Sequence, residues 1–499
     1  MPVLWPMSKK SSSYLIVFAA FGLILQFFTN VRSQDIAATV TVNIEKPNLV
    51  RVEGRFISGL EPVRKRNLSF LRDYAGISNI GERVSDVSVL AADGSPVNSR
   101  RMIAGEYLAD SDFTAWAYSV NLTPLKDPTA SGHLSWLTPD RGILFLADLL
   151  PQTSGTSAAR VMLRLKQSGT PADPRVDDDN TFEYKDKDKA VIYLGSKLRG
   201  TTVFSGKTKL TFSIAGDWKF TDEAASKMVL ETFANYDRTF GSSSADSVKI
   251  HIEPYPIPVS TGNYEADTRG ANITIISSDM PFKSQSLQRL HEQLRHELFH
   301  LWIPNGVNLT GNYDWFYEGF ALYQSLKTGV AVNQIRFDDL LDTLSRAYDI
   351  DSMQTPRVSL IDASKNRWNG ANTQVYARGM LVAFLCDLTM LERSKGKRSV
   401  SDLVREVYAR HRFPNSAVDG NDAVVAIMRT QPGLGGIIDR SIIGQDDLDW
   451  AAALKYAGLA AENKDQVTKL VVTAKPTGRQ KDLLDKLGYN NWRKLSSGH

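Results

Sequence analysis

Hydrophobic and polar positions alternate along the first third of the chain, and then the period changes. Val40, Val42 and Ile44 alternate with polar residues, as do Trp116, Tyr118 and Val120, and later Val161, Leu163 and Leu165. A period of two predicts strands through residues 34–200. Asp93-Gly94, Gly132 and Ser154-Gly155 punctuate these runs as turns. A β-sandwich or saddle-like sheet with its own core is expected there.

Short strands follow at residues 190–194, 201–204, 210–214, 248–252 and 272–276. Thr221 caps a predicted helix running to Phe240, with Met228, Val229, Phe233 and Tyr236 on its inner side. Beyond Gly329 the period is helical. Residues 333–348, 373–392, 400–410, 421–428 and 447–456 predict an α-helical subdomain over 331–460. The whole is an α+β multidomain chain. Residues 1–33 read as an N-terminal address, and 461–499 as a polar, basic tail.

Between the sheet and the helices, Leu287, Leu290, Leu294, Leu298 and Leu301 recur at helical spacing. This amphipathic helix carries His296-Glu297-Leu298-Phe299-His300, an H-E-x-x-H pattern. Residues four apart share one face, so His296 and His300 can reach one ion. Glu297 projects beside them, where a base for a metal-activated water would stand. A catalytic zinc site takes a third protein ligand and leaves its fourth position to water. Pro304, Asn305 and Gly306 end the helix. Asn312 or Asp314 is expected to cap a second helix, from about Trp315 to Lys327, that folds Glu318 back onto the pair. The bland alternative makes both histidines polar-face residues and Glu318 a helix-start acid favoured by the dipole. The order helix, break, helix, glutamate favours the metal site.

His296-Glu297-Leu298-Phe299-His300-Leu301-Trp302, followed by Trp315-Phe316-Tyr317-Glu318-Gly319-Phe320-Ala321, resembles the gluzincin metallopeptidases. Within them it is most similar to the glycyl aminopeptidase family and its relatives, the membrane alanyl aminopeptidases. The resemblance implies Zn2+ held by His296, His300 and Glu318, with Glu297 as the base. The 17 residues between His300 and Glu318 are one fewer than is usual in the alanyl branch, which favours the glycyl-like branch. Tyr376-Ala377-Arg378-Gly379 resembles a Tyr-Glu-Lys-Gly segment whose tyrosine steadies the oxyanion. That implies Tyr376 as an oxyanion donor, since a phenol donates without deprotonating; Arg378 departs from the lysine.

The resemblance also implies a thermolysin-like catalytic domain over 201–330, with a mixed sheet and zinc-binding helices, after the β domain. The strand at Asn272–Ile276 is expected to wall the substrate groove and pair with the peptide backbone. The alanyl branch holds the substrate's amino group with the glutamate of a Gly-x-Met-Glu-Asn motif. No such glutamate stands here; the nearest acids are Glu265 and Asp267. A PDZ-like domain, usual in the glycyl branch, reads as absent from 461–499. The implied activity is zinc-dependent peptide hydrolysis, first of all as an aminopeptidase. Endopeptidase, non-peptide zinc hydrolase and non-catalytic scaffold readings stay open.

With 499 residues the chain is too long for one core, so several domains are expected. A net charge of +4 gives no reason to invoke nucleic acid. Lys9 and Lys10 precede an apolar run from Tyr14 to Phe28, the pattern of an export signal cleaved after Ser33. An uncleaved membrane anchor is the alternative, and no other stretch reads as a span. Cys386 is the single cysteine, so no internal disulfide forms, and its apolar neighbours make it a core residue. Asn67, Asn121, Asn272 and Asn308 begin Asn-x-Ser/Thr triplets. A glycan at Asn272 would obstruct the expected groove, which favours a host that does not glycosylate them. His133 reads as a lone histidine, His251 as a half-buried surface residue, and residues 185–189 as a solvated hairpin tip.

Overall fold

The computed structural model describes residues 35–491 apart from 43–45, 47, 59–60, 166–171, 174–180 and 465–466. The expected export signal and its cleavage point lie outside the described residues, as does Ile44.

The alternating runs form an N-terminal sheet. Its order is Thr181–Tyr184, Ala159–Leu165, Asp35–Val42, Leu49–Ser58, Ala115–Asn121, Val84–Leu90, Pro96–Val97. Along Asp35–Val42 half-buried and buried residues alternate one by one, so one face covers a core. That core holds Val40, Val52, Trp116 and Tyr118, and it takes Leu68 and Phe113 from a three-stranded sheet. Another sheet, of Trp136–Leu137, Arg141–Phe145, Val191–Gly195 and Ala172–Asp173, faces the next domain. Its Trp136, Phe145 and Tyr193 share a cluster with Ile276.

The next sheet contains β1 (Arg199–Ser205), β2 (Thr208–Ile214), β3 (Ser247–Pro254), β4 (Tyr264–Arg269) and β5 (Asn272–Ser277), in the order β1-β2-β3-β5-β4. The pairs β2–β3 and β3–β5 are parallel, and β4 runs antiparallel along β5 at the edge. This corrects the expected groove wall. Residues 273–277 of β5 are all buried, because β5 has a strand on each side, and the edge strand beside the zinc-motif helix is β4.

Thr221 caps α1 (Asp222–Phe240) as expected, accepting from the Ala224 amide. The motif helix α2 (Lys283–Phe299) packs on it, and the Tyr236 hydroxyl donates to the Arg295 carbonyl at 2.7 Å. The second motif helix is broken in two. α3 (Asp314–Tyr317) and α4 (Gly319–Ala331) meet at Glu318. Neither Asn312 nor Asp314 caps α3: the N-cap is Tyr313, without a side-chain bond.

The helical layer adds α5 (Phe337–Ser352), a π-helical turn at Gln374–Arg378, and α6 (Gly379–Arg393). Residues Gln374–Arg393 do reach the length and hydropathy of a membrane span, contrary to expectation, but 89% of the 18-residue apolar window within them is buried in the protein. Cys386 is buried there as expected. Gly319 and Gly379 let α4 and α6 touch backbone to backbone. A Cβ on Gly319 would lie 2.5 Å from the Gly379 Cα. That approach sets the π turn beside Glu318. The tail is folded: Leu459–Lys464 and Val467–Val472 form a hairpin, and the Leu470 amide donates to Ser345 of α5 at 2.9 Å.

Candidate metal centre

α2 delivers both histidines on one face, as the i, i+4 spacing requires. The helix ends at Phe299, so His300 stands at its cap. The His300 Nδ1–H donates to the Ile303 carbonyl at 3.1 Å, which makes Nε2 the nitrogen that would bind a metal. The break between α3 and α4 brings Glu318 to the same point. His296 Nε2 lies 3.1 Å from His300 Nε2 and 3.1 Å from Glu318 Oε2, and the third side of the triangle is 3.6 Å. Ligands about 2.0–2.1 Å from a tetrahedral zinc stand roughly 3.4 Å apart. Two imidazoles and a carboxylate at these separations therefore fit the ion in type and in spacing.

Glu297 is buried beside this triangle. Its Oε2 accepts from the Thr268 hydroxyl at 2.6 Å. Ligand-type atoms of His296, Glu297 and His300 all lie within 4.8 Å of one another. Thr268 comes from the edge strand β4, so the strand that walls the cavity also holds this carboxylate.

Arg367 joins the site without any pattern in the sequence that marks it. It lies between helices in a short 3-10 turn, Arg367–Asn369. Its Nη1 donates to Glu318 Oε1 at 2.9 Å and to Asp314 Oδ1 at 3.0 Å, and its Nη2 donates to the Tyr376 hydroxyl. Burial disfavours the charged form of Glu318, but Arg367 and His300 outweigh it and hold the carboxyl well below the usual range. Burial likewise opposes charge on His300, and Glu318 outweighs it, lifting that imidazole to about 9. Burial and then Glu318 push the Tyr376 phenol well above its ordinary value, so it stays protonated and able to donate. The Tyr376 and His296 ring centres are 6.4 Å apart. Arg378 turns away: it is fully buried against Asp351, at 3.3 Å.

These groups line a cavity of about 1050 Å³. The N-terminal domain contributes Tyr74, Thr129 and His133 to its wall, and α5 contributes Asp342. His133 is thus no lone residue. Its Nδ1 lies 3.3 Å from Asp267 Oδ2 and its Nε2 lies 3.6 Å from Glu265 Oε2, both on β4. Arg269 also donates to Asp267, at 2.8 Å. His251 corrects the sequence reading too. It is fully buried, bonded to Glu253 at 2.6 Å and stacked on Tyr193 at 4.0 Å, and it lies among core residues rather than along the cavity. Lys187, read as part of a solvated tip, is fully buried and paired with Asp188 at 2.5 Å.

No family model matches the sequence, and no curated protein is similar to it. Solved structures are. An aminopeptidase N family protein from Idiomarina loihiensis superposes with a TM-score of 0.73 at 13% identity, over 89% of this chain and 82% of that one. An M1 zinc metallopeptidase from Deinococcus radiodurans, in a mutant form bound to a Tyr-Ser-Ala substrate, gives 0.55 at 16% identity, over 84% and 95%. The fold is that of the M1 zinc metallopeptidases. Its α+β arrangement of N-terminal β sheets, a mixed sheet and helices is the one expected from the sequence. Within this M1-like fold, His296, Glu297 and His300 form the metal-type group.

Proposed function

We propose that this protein is a zinc-dependent peptidase acting on peptides from their free amino end. The observation that carries this reading is the convergence of His296 Nε2, His300 Nε2 and Glu318 Oε2, with Glu297 buried beside them at the cavity wall. His296, His300 and Glu318 would hold Zn2+. The ion supplies Lewis-acid chemistry, making water acidic enough to attack at neutral pH.

The chain's own residues do the rest. Glu297 takes a proton from the attacking water and passes one to the leaving amine. Thr268 fixes which way the Glu297 carboxylate faces. Tyr376 keeps its proton and donates to the oxyanion. Arg367 orients Tyr376 and Glu318 together.

The amino-end preference is supported by β4. An edge strand offers unpaired backbone groups to an extended peptide. Glu265 and Asp267 lie along it at the end packed against the N-terminal domain. Asp267 is held by Arg269 at 2.8 Å and His133 at 3.3 Å, whereas Glu265, 26% exposed and touched only by His133 at 3.6 Å among the described cations, is the more open carboxylate toward a substrate ammonium. The N-terminal segment, with its two lysines and apolar run, favours an exported protein, periplasmic or secreted, or one anchored at the membrane through that segment.

The test is a mixed peptide pool incubated with the zinc-loaded protein and with Glu297→Gln as the blank, read by mass spectrometry. Stepwise loss of N-terminal residues is expected. Internal cuts would make it an endopeptidase instead, and products identical to the blank would remove the peptidase reading.

A further inference from the structure

One cation in the cavity has no part in the chemistry above. Arg295 stands one residue before His296, is 3% exposed, and lines the same cavity. No carboxylate pairs with it among the described residues. Its Nε donates to the Ser325 hydroxyl at 3.3 Å, and its Nη1 donates to His291 Nδ1. Its Nη2 meets no acceptor among the described residues.

The surroundings leave it without a bonded counter-ion, and burial works against its charge. Burial, and then Arg295 itself, push the His291 imidazole down to about 3, so His291 is neutral. Because its Nδ1 accepts from Arg295, its hydrogen sits on Nε2, which is itself buried without a partner. Neither neighbour supplies negative charge. Gly329 of α4 makes the room: a Cβ there would lie 3.0 Å from Arg295 Cζ and Nη1. The charge of Glu292 reaches Arg295 from a distance, but its carboxylate pairs with Arg289 at 3.1 Å, Asp339 pairs with Arg336 at 3.3 Å, and neither bonds to Arg295. A guanidinium stays protonated under all ordinary conditions, and burying one without a counter-ion is costly. Nη2, the arm left without an acceptor, offers charge-assisted N–H donors that suit a carboxylate.

We infer that Arg295 is the carboxylate-binding residue of the substrate cavity, taking either the C-terminal carboxylate of a short peptide or an acidic side chain. The inference rests on the peptidase reading for its ligand, and it adds a second fixed point to the substrate: the reacting carbonyl would lie at the site formed by His296, His300 and Glu318, and Arg295 holds an anion on the wall between α2 and α4. A C-terminal carboxylate held there makes the enzyme a gauge of peptide length. A side-chain carboxylate held there makes it selective for Asp or Glu at one position.

The experiment measures binding to the zinc-loaded full chain carrying Glu297→Gln, so that no turnover intervenes. The probes are alanine peptides from dipeptide to pentapeptide, each as free acid and as amide, together with Ala-Glu-Ala-amide and Ala-Gln-Ala-amide. A charge-assisted hydrogen bond predicts a preference of about tenfold or more for the carboxylate partner. Free acid over amide at one length marks the C-terminal source; the glutamate amide over the glutamine amide marks the side-chain source. Added Arg295→Met abolishes the preference, and Arg295→Lys keeps part of it. Arg346→Gln, a second cation on the same cavity wall, leaves it intact. Equal affinities throughout would overturn the inference, as would a preference lost in Arg346→Gln, which needs no Arg295 variant to fold. Turnover by the unmutated enzyme with no carboxylate preference sinks this inference alone. A preference without turnover sinks the peptidase reading alone, and no binding of any peptide sinks both.

Discussion

Arg367 donates from Nη1 to Glu318 Oε1 across 2.9 Å, on the side of the carboxylate away from the histidines. Glu318 Oε2 faces the histidines, so the two oxygens have separate tasks. The guanidinium fixes the plane of the carboxylate and thereby the position of its inner oxygen. Outer partners of this kind commonly contribute about 10- to 100-fold to metal affinity. Arg367→Met should therefore weaken zinc binding by about that factor, and it should lower kcat further because Tyr376 loses its orienting donor. Chelator competition reads the first effect and single-turnover kinetics the second. Unchanged affinity would show that α3 and α4 place Glu318 unaided.

Glu318→Ala should lose the ion altogether, since two histidines alone leave a catalytic site short of a ligand. Metal content after dialysis decides it: full occupancy would remove Glu318 from the ligand set. The proton balance gives an independent check. In the metal-free protein His300 is lifted to about 9 against the pull of burial, chiefly by Glu318. Zinc takes only the neutral imidazole, so uptake at pH 7 displaces that proton. Affinity should fall as pH drops below about 9, by roughly tenfold per pH unit if His300 alone exchanges. Calorimetry in buffers of different ionisation enthalpy counts the proton; no release would contradict the His300–Glu318 pairing.

The motif was legible in the sequence because it is local. His296 and His300 sit one turn apart on a helix whose leucines mark its inner face, and helix geometry alone brings their rings together. Glu318 needed one further step, a break and a return. The helix was expected to run through Glu318, but the chain breaks there, where α3 ends and α4 begins. Arg367 was not legible. It reaches Glu318 across 49 residues from an irregular turn, and no periodicity marks such a residue. The edge strand was misjudged, although a signal existed. Ile273, Ile275 and Ile276 with Thr274 form a nearly unbroken apolar run, the signature of an interior strand, whereas β4 carries charge along its length. His133 looked solitary because its partners, Glu265 and Asp267, belong to another domain more than a hundred residues on. Pairings between domains leave no pattern within either one.

Thr268 gives the next prediction. Its hydroxyl is 2.6 Å from Glu297 Oε2, short enough to fix the rotamer of the carboxylate. Thr268→Val keeps the shape and removes the donor. Turnover should fall by about tenfold, the scale of a misdirected base, while zinc content stays full and substrate KM changes little. Glu297→Gln should lose several orders of magnitude in kcat and also keep its zinc. A Gln variant near the unmutated rate would take Glu297 out of the base role. A Thr268→Val enzyme as fast as its parent would show that α2 alone orients Glu297.

His133 ties the N-terminal domain to the catalytic sheet through a charge that depends on pH. Burial disfavours the imidazolium, but Asp267 at 3.3 Å and Glu265 at 3.6 Å outweigh it and lift the group to about 9. An unfolded histidine titrates near 6.5. The folded value is the higher one, so the stabilisation is fully present below about pH 6.5 and is lost as pH rises through about 9. The difference amounts to on the order of 3 kcal/mol at most. Asp267 acts in the opposite direction. Despite its burial, Arg269 and His133 hold it below the usual carboxylate range, so its share is present above about pH 4 and disappears only in acid. The melting temperature of the protein should accordingly decline between pH 7 and pH 10. His133→Gln should start lower at pH 7 and show a flatter profile over that interval, because the group that discharges is gone. Parallel profiles for the two proteins would mean that His133 carries no proton at neutral pH, and that the contact between the two domains rests on Arg269 and packing alone.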